Sequence, residues 1–409
     1  MGKLLIKRGE GGLGRRNPSK DMVSGLMFGG VAATGLALDT TSAKLTRVED
    51  AEDLGINQAY DTANNILVYY HIKEFFRMSP SGSLYIRITA QAANTLAKMC
   101  DITNAHVRQL LKDAKGDIRQ VGVVLNPLTT YTATKTAGID ADVTAAIPKA
   151  QALANAEYDL KRPVQVVIEG REFNGTVALA GDLRGSSAPD VHVTILQDMD
   201  VAATGDDINE DHAAVGTTLG VISVANVHES IGYVAKFNLA DSIAGAFLNP
   251  GLSSHKAIAD YEGDYENLTA KGYLFARPYN GNTVTNGVYF DDFPACTVIT
   301  SDYAYGNSRR VINKAVREVY AKLLPRVNSP ILLDASTGKI EMAVAKSFEA
   351  DAEEAMSVML QADEISGMDA FVDPNQDVQA TGKIVTKIAV VEVATGRILE
   401  VEIGLTKTI

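Results

Sequence analysis

Along the chain, short apolar runs rich in β-branched residues recur between segments whose apolar positions return every three to four residues. Strands are predicted at 84–88, 121–125, 164–168, 191–197 and 219–224. Between them the helical period predicts helices at 60–77, 90–114 and 141–160, with shorter ones at 176–183 and 211–218. An acidic segment, 48–54, reads as a short helix stopped by Gly55. Apolar strands alternating with amphipathic helices argue for an α/β fold with a mostly parallel sheet covered on both faces.

After Asn249, Pro250 and Gly251 the character changes, with aromatics and Gly/Asn turns as far as Tyr305. Helices are expected at 308–324 and 343–361. Two period-two strands, 383–392 and 398–405, read as a hairpin turning at Thr395 and Gly396. The expected organisation is an N-terminal arm (1–21), an α/β domain (22–275) and a smaller α+β domain (276–409). No repeat of 20–50 residues is visible.

One uncharged stretch, 22–38, carries Gly25 and Gly29 at small-xxx-small spacing and is barely long enough to span a bilayer, about 17 residues. It is rich in Gly, Ala and Thr and bounded by Asp21 and Asp39 without a basic anchor, so a buried strand and turn is expected. Residues 4–6 are too short an apolar run for a signal peptide.

In 409 residues, 46% apolar and 22% charged, there is material for two cored domains. Thirty-eight basic against 50 acidic residues give a net charge of -12, which disfavours a nucleic-acid partner. Cys100 and Cys296, far apart and without a CxxC neighbour, suggest neither disulfide nor zinc.

Residues Gly9, Gly11 and Gly14 satisfy GxGxxG spacing, but Arg15, Arg16, Asn17 and Pro18 follow where a helix would have to open, so a glycine hinge is expected rather than a cofactor loop. The six histidines lack HExxH spacing, and Asp206, Asp207, Glu210 and Asp211 lack the pattern of a calcium loop. No GxSxG elbow is present. No catalytic, cofactor or metal residue is assigned, and the chain is expected not to be an enzyme.

The segment 308–326 stands out in an acidic chain: Arg309, Arg310, Lys314, Arg317, Lys322 and Arg326 are opposed by Glu318 alone. At about 100° per residue, Arg310, Lys314 and Arg317 share one stripe, with Ile312, Ala315, Val319 and Leu323 roughly opposite. The expectation is a buried apolar face and an exposed row of cations suited to an acidic partner.

The order of these segments resembles contractile tail sheath proteins of phages and phage-tail-like injection systems. The resemblance rests on Phe75, Phe76, the turn at Gly82 and the strand to Arg87, and on the acidic helix before Gly55. It rests also on Gly287 to Phe290, on Tyr303 and Tyr305, on the helix opening at Ser308, Arg309 and Arg310, and on the terminal strand pair. The family's tryptophans are absent and the Phe-Phe turn lacks its paired glycines, which suits a divergent member.

The resemblance implies an outer α/β domain, an inner α+β domain, and helical polymerisation around a tail tube that is driven through an envelope on contraction. It implies partners among copies of itself, the tube, and baseplate and terminator proteins, with no direct membrane insertion. The location implied is a virion tail assembled in a bacterial cytoplasm. Leu4, Leu5 and Ile6 would be the donated strand; Ile384, Ile388, Val390, Val401 and Ile403 would lie in the receiving sheet. Arg310, Lys314 and Arg317 would face the tube. Two alternatives stay open: an α/β enzyme with a small-molecule site in the middle domain, and another virion component such as a capsid or baseplate subunit.

Overall fold

Strand β1 (Val23–Gly30) lies inside a seven-stranded sheet. Because the strand is covered on both sides, the segment reads as a small apolar run without alternation. A computed structural model of the chain describes residues 20–204, 210–279 and 287–406. These residues form two units, one within 1–227 and 231–317, the other within 228–230 and 318–409.

In the first unit β1 is flanked in parallel by β3 (Ser83–Ala90) and β4 (Gln120–Val124). The short β2 (Ala43–Leu45) closes one edge antiparallel to β3. A small hairpin, β5 (Lys135–Thr136) with β6 (Ile139–Asp140), precedes the helix Ala141–Asp159. Beyond β4 the sheet continues in parallel through β7 (Gln165–Glu169) and β8 (Val191–Thr194). The chain then leaves the sheet after Ile195 and forms β9 (Leu196–Asp198), which pairs with β10 (Pro250–Leu252), itself paired with β11 (Lys256–Ala257). It returns as β12 (Tyr273–Leu274) on the far edge, parallel to β8. The hairpin β13 (Ala276–Tyr279) with β14 (Gly287–Phe290) follows.

Two cores cover the two faces. On one, Met27 meets Leu110, Val143 and Ile147; on the other, Leu26 and Phe28 meet Ile72, Phe75, Val215 and Leu219. Each such side chain contributes roughly 1.5–3 kcal/mol by leaving water. A Cβ on Gly29 would stand 1.9 Å from the Leu125 carbonyl oxygen, so only glycine lets β1 and the end of β4 approach so closely.

The second unit joins the helix Met342–Gln361 to a two-stranded antiparallel sheet, β15 (Ile365–Val372) with β16 (Thr386–Glu392). Its small core holds Ile340, Ala345, Phe348 and Val372, with Ile384 packed against it.

Several expectations are corrected. Residues 219–224 are not a strand but the second half of the helix Val215–Val224, which is buried all round and so carries no polar stripe to betray its period. Residues 176–183 form no helix; a 3-10 turn starts only at Leu183. The helix expected at 60–77 is two, Gln58–Asn64 and Val68–Met78, because Asn65 turns left-handed at φ 53°. The one expected at 90–114 breaks into Leu96–Cys100 and Val107–Asp113 after a 3-10 turn. The terminal hairpin does not form: β16 pairs with β15, and 398–405 carries no strand. The two units divide at Arg317 rather than near 275, since Val288, Phe290 and Phe293 pack into the core of the first unit.

Candidate assembly surface

From β1 the chain crosses first to β3 on one side, then to β4 on the other. Sheets of this kind bind ligands at such a reversal, outside the carboxyl ends of the strands. Here the crevice between β1 and β4 is filled by Asn126, held at φ 45°. Its Nδ2 donates to the Gly29 carbonyl (3.0 Å), its Oδ1 accepts from the Leu67 N–H (3.1 Å), and its carbonyl accepts from Gln91 Nε2 (3.0 Å). Beside it the Leu125 N–H donates to Glu169 Oε2 (2.8 Å), and Glu169, with no exposure, pairs with Arg171 at 3.1 Å. Burial pushes the Glu169 carboxyl up while Arg171 opposes. The small-molecule alternative therefore meets a plug of satisfied polar groups where it needs a cavity.

The arginine-rich helix, Gly306–Leu323, is where the largest correction falls. Its cations are turned into the first unit, not presented as a row. Arg309 makes two bonds to Asp190 (2.7 and 2.8 Å), just ahead of β8. Arg310, 5% exposed, donates to the carbonyls of Ala225 and Asn226, both at 3.0 Å, capping the C-terminus of Val215–Val224. Lys314 Nζ reaches Asp21 Oδ2 at 2.6 Å, just ahead of β1. Arg317 donates to the carbonyls of Gly116 (2.9 Å), Ile118 (3.1 Å) and Pro163, ahead of β4 and β7. The helix thus clamps the amino ends of four parallel strands, the edge opposite the filled crevice. Arg310, Lys314 and Arg317 cannot offer an exposed face to a tube in this state, because buried charge has to be satisfied within the fold. Further along, Lys322 and Arg326 pair with Glu354 (2.8 Å) and Asp351 (2.6 Å).

A sheet with open edges and an uncovered apolar face lies in the second unit. Among the described residues β15 and β16 make a sheet of two strands only, so each has an edge without a ladder partner. A lone pair of strands is marginal without a covering element. The helix Met342–Gln361 covers one face. On the other, Phe371 (50%) and Val391 (60%) stand exposed. Ile384, Ile388 and Val390 are half-buried along β16 and just before it. Past β16, Ile398, Leu399, Val401, Ile403 and Leu405 are each more than three-quarters exposed. Such a combination of open edges and uncovered apolar segment is a template for pairing with another chain.

Leu4, Leu5 and Ile6, like Gly9 to Gly14 and the pair Asp206 and Asp207, lie outside the described residues. β15, Asp21 and Asn126 were missed from the sequence. β15 had a signal, the alternation of Met368, Ala370 and Val372 with Gly367, Asp369 and Phe371. Asp21 and Asn126 had none, since their roles depend on distant partners. Among the described residues no group of three or more His, Cys, Asp or Glu could hold a metal ion. No helix there is long and apolar enough to cross a membrane.

The chain belongs to the DUF2586 family: the family's N-terminal domain matches residues 1–294 and its C-terminal domain residues 302–409. No curated protein sequence matches it. Among solved structures it is similar to a chain of the anti-feeding prophage (AFP) baseplate, with 14% identity, TM-score 0.62, and 99% of this chain and 98% of that one covered. It is similar to the AFP helical sheath in the contracted state (13%, TM-score 0.59, 98% and 100% covered). It is similar too to the sheath complex, also contracted, of an extracellular contractile injection system, PVC (11%, TM-score 0.60, 100% and 98% covered). The fold is therefore that of contractile-sheath structures, as the sequence resemblance implied, over the full length of both chains.

Proposed function

We propose that this DUF2586 chain is the sheath subunit of a phage tail or phage-tail-like injection machine, polymerising as a helix around a tube and contracting to drive it through an envelope. The observation that carries this reading is the pairing of an end-to-end sheath fold with a two-stranded sheet whose edges and apolar face await further strands. Main-chain bonds across such an edge, each net about 1 kcal/mol, hold neighbours together without fixing a docking angle. That is what a lattice able to change its packing requires. Leu4, Leu5 and Ile6 would be one donated strand, and the stretch holding Val401 and Ile403 another, with Ile384, Ile388 and Val390 on the receiving side. Heterologous contacts of this kind do not close, so they propagate.

The role is structural rather than catalytic. Partners would be copies of itself, a tube, and baseplate and terminator proteins; nucleic acid and bilayer insertion are not part of the scheme, and assembly would take place in a bacterial cytoplasm before incorporation into a tail. No tube contact is assigned to Arg310, Lys314 or Arg317. The likeness to a chain in a baseplate favours one second reading, a ring-forming baseplate subunit.

Negative-stain microscopy of the purified chain at rising concentration, beside a version lacking residues 1–14, separates these. Hollow helical tubes lost on truncation support the sheath; closed rings support the baseplate reading; monomers from both at every concentration overturn strand exchange.

A further inference from the structure

The helix Val107–Asp113, together with the end of the helix Ala141–Asp159 and the turn after it, frames an open groove of about 460 Å³ in the first unit. On one wall Glu157 is taken up by Arg162, which reaches it at 2.7 Å. Beside that pair Leu160 stands 58% exposed. On the other wall Arg108 and Lys112, both exposed, sit four residues apart and so share one face of their helix. Arg108 donates to the Ile102 carbonyl (3.0 Å), which holds the guanidinium in place without neutralising it. Among the described residues neither cation has a carboxylate partner.

Elsewhere on the same unit a second feature has the complementary form. The short helix Glu49–Asp53 presents Glu49 and Asp53, also four apart and both exposed. Arg47 is held by Asp50 at 2.9 Å and reaches Glu49 only at 4.0 Å, while Asp53 makes no ion pair among the described residues. The two helices back onto opposite faces of the sheet: Ala51 lies in the core of Leu26 and Phe28, Leu110 and Leu111 in that of Met27. One subunit therefore cannot bring its own acidic pair to its own groove. A second copy can, and the contact leaves one helix and one groove free at either end, so it propagates. Charged stripes of equal spacing and opposite sign steer encounter and fix register.

We propose that the groove at Arg108 and Lys112 receives the Glu49–Asp53 helix of a second copy, a head-to-tail contact between first units. It rests on the reading that copies associate, but uses surfaces separate from the strand pair of the second unit.

Sedimentation of three full-length proteins at rising concentration tests it: the unaltered chain, Arg108→Glu with Lys112→Glu, and Glu49→Lys with Asp53→Lys. All four positions are exposed, so each variant should melt as the parent does. Alone, each should need at least about tenfold more protein to assemble, because like charges then meet at the contact. An equimolar mixture should assemble like the parent, since each variant's groove now fits the other's helix. Parent-like assembly of either variant alone, or no rescue on mixing, would overturn the contact while self-association stands. If a melt shows that a double variant does not fold, the single changes Lys112→Glu and Asp53→Lys, mixed in the same way, decide. An unaltered chain that stays monomeric throughout would refute self-association, and this contact with it.

Discussion

Lys314 Nζ and Asp21 Oδ2, 293 positions apart in the chain, meet at 2.6 Å, with both side chains mostly shielded from water. The contact ties the entry of β1 to a helix that also borders β4, β7 and β8, each more than a hundred residues upstream of it. Together with Arg309 on Asp190 and Arg317 on three carbonyls, it makes that helix a clamp on the sheet.

Reversing charge in the clamp should therefore damage the subunit before it damages any assembly. Lys314→Glu with Arg317→Glu puts acids beside Asp21 and takes the Arg317 guanidinium away from the carbonyls of Gly116, Ile118 and Pro163. A loss of about 3–5 kcal/mol is expected, read as a lower urea midpoint of the isolated chain. An unchanged midpoint would contradict the clamp.

Gly29→Ala should be poorly tolerated for a purely steric reason. Its new Cβ would stand 1.9 Å from the Leu125 oxygen, and neither strand can retreat without breaking the parallel ladder. A cost of about 3 kcal/mol or more is expected, whereas Gly245→Ala, with open space around it but a positive φ, should cost only about 1 kcal/mol. Equilibrium denaturation of both variants makes the comparison.

Acid should destabilise the first unit through its buried histidines. His192, with no exposure, is bonded through Nδ1 to the Pro294 carbonyl (2.8 Å), and burial pushes its pKa down to about 4. An unfolded histidine titrates near 6.5. The unfolded chain therefore binds more protons between those values, and stability present above pH 6.5 is lost as pH falls towards 4. His71, also buried, moves in the same direction. His192→Asn, which keeps a donor for Pro294, should flatten part of this slope, on the order of 3 kcal/mol across the window. Denaturation midpoints at pH 4.5, 5.5 and 7 measure it.

Removing residues 398–409 should separate folding from assembly. Ile398, Leu399, Val401, Ile403 and Leu405 bury little within the subunit, so its melt should move by no more than about 0.5 kcal/mol. Polymer formation seen by microscopy or sedimentation should be lost. A truncated chain that still forms full-length tubes would remove this segment from strand exchange.

The parallel sheet was legible because β4 and β7 are β-branched runs, and the helix Ala141–Asp159 because its apolar period holds over five turns. Where a helix is buried on every side, as at Val215–Val224, periodicity carries no information and strand and helix look alike. The arginine-rich helix was found from its pattern and its face misassigned. A cation's wish for solvent is only a default, and carbonyls at the amino ends of distant strands outbid it here. Nothing local announces them. The strand pair was half legible: β16 was found, but its partner lies upstream in β15, across a loop instead of a tight turn.

The uncovered apolar stretch beyond β16 also bears on how long a free subunit survives. A segment that packs on nothing is the first place a protease can grip, and the first to be hidden once a neighbour takes it up. Digestion at 398–405 would then fall as copies join, so the cell's proteases would prune stray subunits and spare incorporated ones, with no dedicated recognition signal required.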